Sequence, residues 1–167
     1  MQAREDFEPA AGAEDERLMR EALGAARAAA LAGEVPVGAC VVGADGSLLA
    51  VAGNRTRTDC DPTAHAEVLA LREAARRVGN YRLAGAVVYS TIEPCAMCAG
   101  ALVQARVARL VYGARDERAG AVESVFRVCD AGSLNHRMEL AAGVLEADCR
   151  ALMQEFFRER RKVLRTE

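Results

Sequence analysis

Two short motifs constrain this chain more than anything else in it: His65-Ala66-Glu67 and, further on, Pro94-Cys95-Ala96-Met97-Cys98. Cysteines three apart on a helix lie on one face a turn apart, so Cys95 and Cys98 can both reach one metal ion. A histidine from another helix completes three protein ligands. The chain therefore has to bring the starts of two helices together across about one intervening β-strand.

The number of ligands matters. A structural zinc site normally closes its tetrahedron with protein atoms, whereas a catalytic one leaves a position for water. The positive end of a helix macrodipole favours the thiolate forms of Cys95 and Cys98. Glu67, two residues after His65 in the first helical turn, can point at the water and not at the metal. Zinc lowers the pKa of water from about 15.7 towards about 7, and an adjacent carboxylate can take that proton and pass it to a ring nitrogen. A lone CxxC is common in redox and structural zinc sites, and a lone helical histidine is usually a core or surface residue. Together at two helix starts, HxE and PCxxC make the pattern of a zinc base deaminase.

Hydrophobic periodicity places these motifs. Leu18, Met19, Ala22, Leu23, Ala26 and Ala30 mark an amphipathic helix over 14–32, ending at Gly33. Ala44-Asp45-Gly46 is a hairpin turn between strands near 37–42 and 47–52. The pattern then predicts a helix over 64–78, a buried strand over 86–90, and a helix over 95–105 that Pro94 opens at its first position. A strand over 109–112, a short helical stretch around 123–128, a strand near 138–140 and a long helix from Glu146 to about Leu164 complete the order. Two opening strands followed by strands alternating with helices make an α/β layered domain with a mixed sheet.

With 167 residues, 51% of them hydrophobic, residues 14–167 suit one domain with a proper core, while 1–13 read as a disordered extension. No stretch approaches the roughly 20 apolar residues of a membrane span, and MQAREDFEPA lacks the blocks of a signal peptide. A cytoplasmic protein with no membrane partner is expected, its six cysteines thiols or ligands. The formal net charge of −2 does not suggest a nucleic-acid binder, yet Arg158, Arg160, Arg161, Lys162 and Arg165 make a basic tail interrupted only by Glu159.

From about Glu14 to the tail, the chain resembles the bacterial tRNA-specific adenosine deaminase family of the cytidine-deaminase-like superfamily. The segments that carry the resemblance are EVPVGA, GNR, DPTAHAE, LREAA, NYRL, TIEPCAMCAGA, YGARD, LNHR and FFRERR. It implies a three-layer α/β/α fold with a five-stranded mixed sheet between helices. It also implies one zinc ion per subunit on His65, Cys95 and Cys98, with Glu67 as general acid/base. By the same resemblance Asn54 hydrogen-bonds the target base, Asp116 contacts the anticodon-loop backbone, and Phe157 lies near the bound nucleotides.

The reaction implied is conversion of adenosine to inosine at the wobble position, 34, of a tRNA anticodon. Water on zinc attacks C6 of the flipped-out adenine, Glu67 shuttles the protons, and ammonia leaves. The partners implied are the tRNA anticodon stem-loop and a second copy of the chain in a homodimer, with the basic C-terminal helix holding phosphates. Thr56, Arg57, Thr58, Cys60 and the segment 122–133 depart from the family pattern, and Cys60 is read as a bystander. Two alternatives stay open: an enzyme of the same metal core acting on a free base or nucleoside, and a non-catalytic RNA-binding subunit with a purely structural zinc. The intact Glu67 speaks against the second.

Overall fold

The structure, a computed structural model, describes residues 12–166, so residues 1–11 of the expected extension lie outside it. In chain order the elements are α1 (Ala13–Leu31), β1 (Gly38–Val42), β2 (Leu48–Gly53), α2 (Ala66–Val78), β3 (Val87–Ile92), α3 (Ala96–Gln104), β4 (Arg109–Ala114), β5 (Glu139–Ala142) and α4 (Glu146–Thr166). The five strands form one sheet in the order β2-β1-β3-β4-β5. β1 pairs antiparallel with β2 and β3, while β4 runs parallel to both β3 and β5. This is the mixed, five-stranded arrangement expected from the sequence.

Alternation along each strand splits the core in two. Ala39 and Val41 of β1, Val88 of β3, and Leu110 and Tyr112 of β4 pack on one face with α2 and α3. Cys40, Val42, Tyr89 and Val111 turn to the other face, against Leu18, Met19, Ala22 and Leu23 of α1 and Cys149 of α4. Helices thus cover both sides of the sheet, giving the three α/β/α layers expected from the sequence. α1 approaches unusually closely: a Cβ at Gly38 would fall 1.9 Å from the carbonyl oxygen of Ala22, and one at Gly53 2.6 Å from that of Ala25. Glycine at these strand positions, under an alanine-rich helix, lets backbone meet backbone.

Asp15 ties α1 to the sheet. Arg109 donates to it through Nη1 at 2.8 Å and Nη2 at 3.0 Å, and the Tyr89 hydroxyl donates at 2.7 Å. Arg109 also donates to Glu139 at 3.0 Å, so the cluster joins α1, β3, β4 and β5.

Two local expectations are corrected. Pro94 is not the first residue of α3, because Cys95 holds the N-cap and the helix begins at Ala96. The proline instead ends the extended run out of β3, where its carbonyl accepts from Ala121 N–H at 2.8 Å. Nor is 123–128 a helix: 121–124 is turn and 126–128 is irregular. There the N–H groups of Val122, Glu123 and Ser124 all donate to one side-chain oxygen, Glu93 Oε1, and those of Val125 and Phe126 both turn back to the carbonyl of Gly120. The chain winds around a buried carboxylate, and no i to i−4 ladder propagates.

Candidate active site

α2 and α3 begin side by side at the C-terminal end of β3, and the two motifs meet there. His65 and Cys95 are the N-cap residues of α2 and α3, both with extended backbone (φ −74°, ψ 149° and φ −72°, ψ 174°). Neither side chain caps its own helix, and both face the gap between the helices. The cap of α2 comes from elsewhere: Asn54, just past β2, accepts the Ala66 N–H on its Oδ1 at 2.8 Å.

His65 Nδ1 lies 3.7 Å from Cys95 Sγ and 3.5 Å from Cys98 Sγ, and the three donor atoms lie within 4.8 Å of one another. A tetrahedral zinc with Zn–S of about 2.3 Å and Zn–N of about 2.1 Å separates N from S by about 3.6 Å. Both observed separations match that edge, so the donor set fits zinc in spacing and in ligand type.

Charge within the cluster is uneven. Hydrogen bonds from Cys98 and then from His65 hold the Cys95 thiol down to about 3, whereas Cys98, bonded to Cys95 and buried, is pushed up. His65 is raised, chiefly by Cys95. The cluster thus offers a thiolate at the start of a helix, as a cation site requires.

Glu67, in the first turn of α2, is buried at 2% exposure. Its Oε2 lies 3.6 Å from Cys98 Sγ, and its Oε1 lies 3.3 Å from Ser90 Oγ, a hydroxyl that also bonds the Ile92 carbonyl at 2.7 Å. Burial pushes its carboxyl pKa up. This sets a protonatable carboxyl beside the His65–Cys95–Cys98 cluster, which could hold a metal ion.

The remaining predicted residues lie further out. Asp116 follows β4, half-buried, and its Oδ1 accepts the N–H groups of Arg118 and Ala119 at 3.0 and 3.2 Å. Phe157, on α4, packs edge-on against Phe156 and is 40% exposed. It lines an open groove of about 390 Å³ with Arg118, Met153, Gln154 and Arg161. Cys60 is exposed, its thiol 3.7 Å from the Arg57 carbonyl, and it is not part of the His65–Cys95–Cys98 cluster.

Sequence reasoning missed two buried carboxylates. Glu34 accepts the N–H groups of Arg57 and Thr58 and the hydroxyls of Thr56 and Thr58, fastening the loop that leads towards His65. Glu93 does the same for the segment after β4. The only signal was a charged residue next to an apolar stretch, in EVPVG and in TIEPC.

A three-layer α/β/α fold with His65, Cys95 and Cys98 converging beside a buried glutamate defines a deaminase of the cytidine-deaminase-like class. Residues 13–161 match the model of the MafB19-like deaminases. The tRNA-specific adenosine deaminase of Haemophilus influenzae is 42% identical over 92% of this chain and 88% of its own length. That of Agrobacterium fabrum is 44% identical over 89% and 97%. A solved structure from work on A-to-I editing by tRNA:A34 deaminases superposes with a TM-score of 0.79 at 43% identity, covering 81% of this chain and 98% of that one. A guanine deaminase from Nitrosomonas europaea gives 0.74 at 26% identity, over 91% and 88%. The chain belongs to the tRNA-specific adenosine deaminase family.

Proposed function

We propose that the protein hydrolyses adenosine to inosine at the wobble position of a tRNA anticodon. The observation that carries the reading is the buried carboxyl of Glu67, 3.6 Å from Cys98 Sγ, beside a three-ligand cluster in a chain of this family. Zinc on His65, Cys95 and Cys98 supplies the Lewis acidity that makes water nucleophilic near neutral pH. Glu67 takes the proton of the attacking water, delivers it to adenine N1 as oxygen adds to C6, and carries a second proton to the departing amino group. Water is consumed and ammonia released.

The other groups bind. Asn54, with its Oδ1 taken by Ala66 N–H, offers its amide N–H groups to an acceptor of the purine ring. Phe157 offers a face for a neighbouring base, and Arg118 and Arg161, on the same groove, suit its phosphates. Asp116 shapes the loop that carries Arg118. Residues 14–167 act as one catalytic domain in the cytoplasm. The protein acts as a homodimer, and the apolar groove of Val68, Leu71, Ala75, Tyr81, Ala101 and Ala105 between α2 and α3 is a surface that such a contact could cover. No helix among the described residues is long and apolar enough to cross a membrane.

The likeness to a guanine deaminase favours one second reading, a free purine base as substrate. The test incubates zinc-loaded protein with a tRNA transcript bearing adenosine at the wobble position, beside free adenine, guanine and nucleosides, and sequences the RNA. Inosine at that position, lost on chelation and restored by zinc, is expected. Ammonia from a free base with unmodified tRNA selects the second reading.

A further inference from the structure

The segment after β4 is stitched to the exit of β3, next to a metal ligand. Glu93 N–H donates to the Ala114 carbonyl at 2.8 Å, Ala121 N–H donates to the Pro94 carbonyl at 2.8 Å, and Cys95 forms an isolated antiparallel bridge with Gly120. At the centre of this seam lies the carboxylate of Glu93, 1% exposed. Its Oε1 accepts the N–H groups of Val122, Glu123 and Ser124 at 3.1, 2.8 and 2.9 Å. Its Oε2 accepts the Asp116 N–H at 3.0 Å and the Ser124 hydroxyl.

The donors to Glu93 are backbone amides and one hydroxyl, a nest of the kind that binds anions, here filled by the protein's own carboxylate. Such a carboxylate does no proton transfer in place. Its two oxygens are taken up by four N–H groups and one hydroxyl. The loop is built around it: a Cβ at Gly120 would fall 2.4 Å from Glu93 Cδ and 2.5 Å from the Asp116 carbonyl oxygen, so only glycine lets the chain close on the carboxylate. What the loop presents outward is Asp116 and Arg118, and Arg118 forms one wall of the groove whose other wall is Phe157 and Arg161 of α4.

We infer that Glu93 is a positioning residue for polynucleotide binding, fixing residues 115–124 as a ready-made rim that holds Arg118 opposite α4 before RNA arrives. This rests on the tRNA reading above. Glu93 acts through Asp116 and Arg118, so its removal weakens substrate binding and spares proton transfer. Preorganisation of this kind shows in KM when the loop must otherwise be ordered at the moment of binding.

Glu93→Gln tests the inference at constant size. An amide can keep its oxygen on the amides of 122–124 only by turning its NH2 towards Asp116 N–H, donor against donor, which frees the Asp116 end of the loop. The expected result is a KM for tRNA raised about tenfold, the equivalent of one charge-assisted hydrogen bond. In the same protein kcat stays within about threefold of wild type and bound zinc is unchanged. Amide hydrogen exchange over 116–120 should quicken at least about tenfold while β3 stays protected. Ser124→Ala, which removes one donor and leaves the carboxylate in place, should move KM the same way by about two- to threefold.

If Glu93→Gln does not fold, Ser124→Ala carries the test alone. Unchanged KM and unchanged exchange at 116–120 in a folded variant would overturn the inference. So would a fall in kcat with loss of zinc at constant KM, since Glu93 would then be a support for Cys95. Wild-type protein inactive on tRNA would remove the tRNA reading itself; the exchange measurement would still decide whether Glu93 holds the rim.

Discussion

The backbone N–H of Ala66 donates to Asn54 Oδ1 at 2.8 Å, across twelve residues of chain. The bond caps α2 beside His65 and also fixes which way the amide of Asn54 faces: its oxygen is used inward, so its NH2 is the end left for a ligand. On the proposed function the two halves of the side chain therefore have separable tasks.

Asn54→Asp should separate them. Aspartate keeps an acceptor for Ala66 N–H at a helix start, where a carboxylate is favoured, so the melting temperature should hold or rise. It has no N–H to give a purine, and a site built around a hydrogen bond loses about tenfold to a hundredfold when the donor goes. Asn54→Ala should lose both, with about 1 kcal/mol of stability from the missing cap. Wild-type turnover in the aspartate variant would remove Asn54 from base recognition.

Glu67→Gln should leave the fold intact, because it exchanges one buried side chain for another of nearly equal volume. Bound zinc should stay at the wild-type level, since the proposed ligands His65, Cys95 and Cys98 are untouched. Turnover on tRNA should fall by about 10²–10⁴-fold, the range for a general acid/base residue. Steady-state kinetics beside metal analysis reads both quantities. Full zinc with turnover near that of wild type would mean that the protons travel by another route.

How much of this was readable in advance follows from the range of each interaction. His65, Glu67, Cys95 and Cys98 were legible because their chemistry resides in residue type and their geometry in two helix starts, both local properties. The strand near 37–42 was legible as an apolar run, but the assignment of Ala39 and Val41 to one layer and Cys40 and Val42 to the other was not, because both faces of β1 are buried. The segment around 123–128 was not. Its conformation is set by Glu93, 29 to 31 residues earlier, and the groups that bind it are backbone amides, which every residue but proline carries. No pattern of side chains in Val122, Glu123 and Ser124 could announce that. Pro94 was misplaced by two positions for a related reason: the helix signal of proline is correct in kind, but α3 begins at Ala96 with Cys95 as its N-cap, beside His65 on the same face of the sheet.

The Asp15 cluster makes a prediction remote from the metal site. Arg109 first, and Tyr89 with it, hold the Asp15 carboxyl below the usual range against the opposing effect of burial. A carboxyl whose folded pKa is depressed adds stability above its unfolded pKa, about 3.9, and loses it as pH falls through the lower folded value. The Asp15 and Arg109 side chains are 12% and 22% exposed, so solvent screens the pair weakly. Asp15→Asn leaves Arg109 with Glu139, which is 70% exposed and a poor substitute. The variant should be less stable by about 2 kcal/mol near pH 7, a drop in melting temperature of about 4–8 °C for a chain of this length. Below about pH 4 wild type begins to lose the same contribution, so the gap between the two melting curves should narrow as pH falls and close only below the depressed folded pKa. A gap that stayed constant from pH 7 to pH 3 would show that Asp15 contributes shape and hydrogen bonding but no charge, and that Arg109 draws its stabilisation from elsewhere on the sheet.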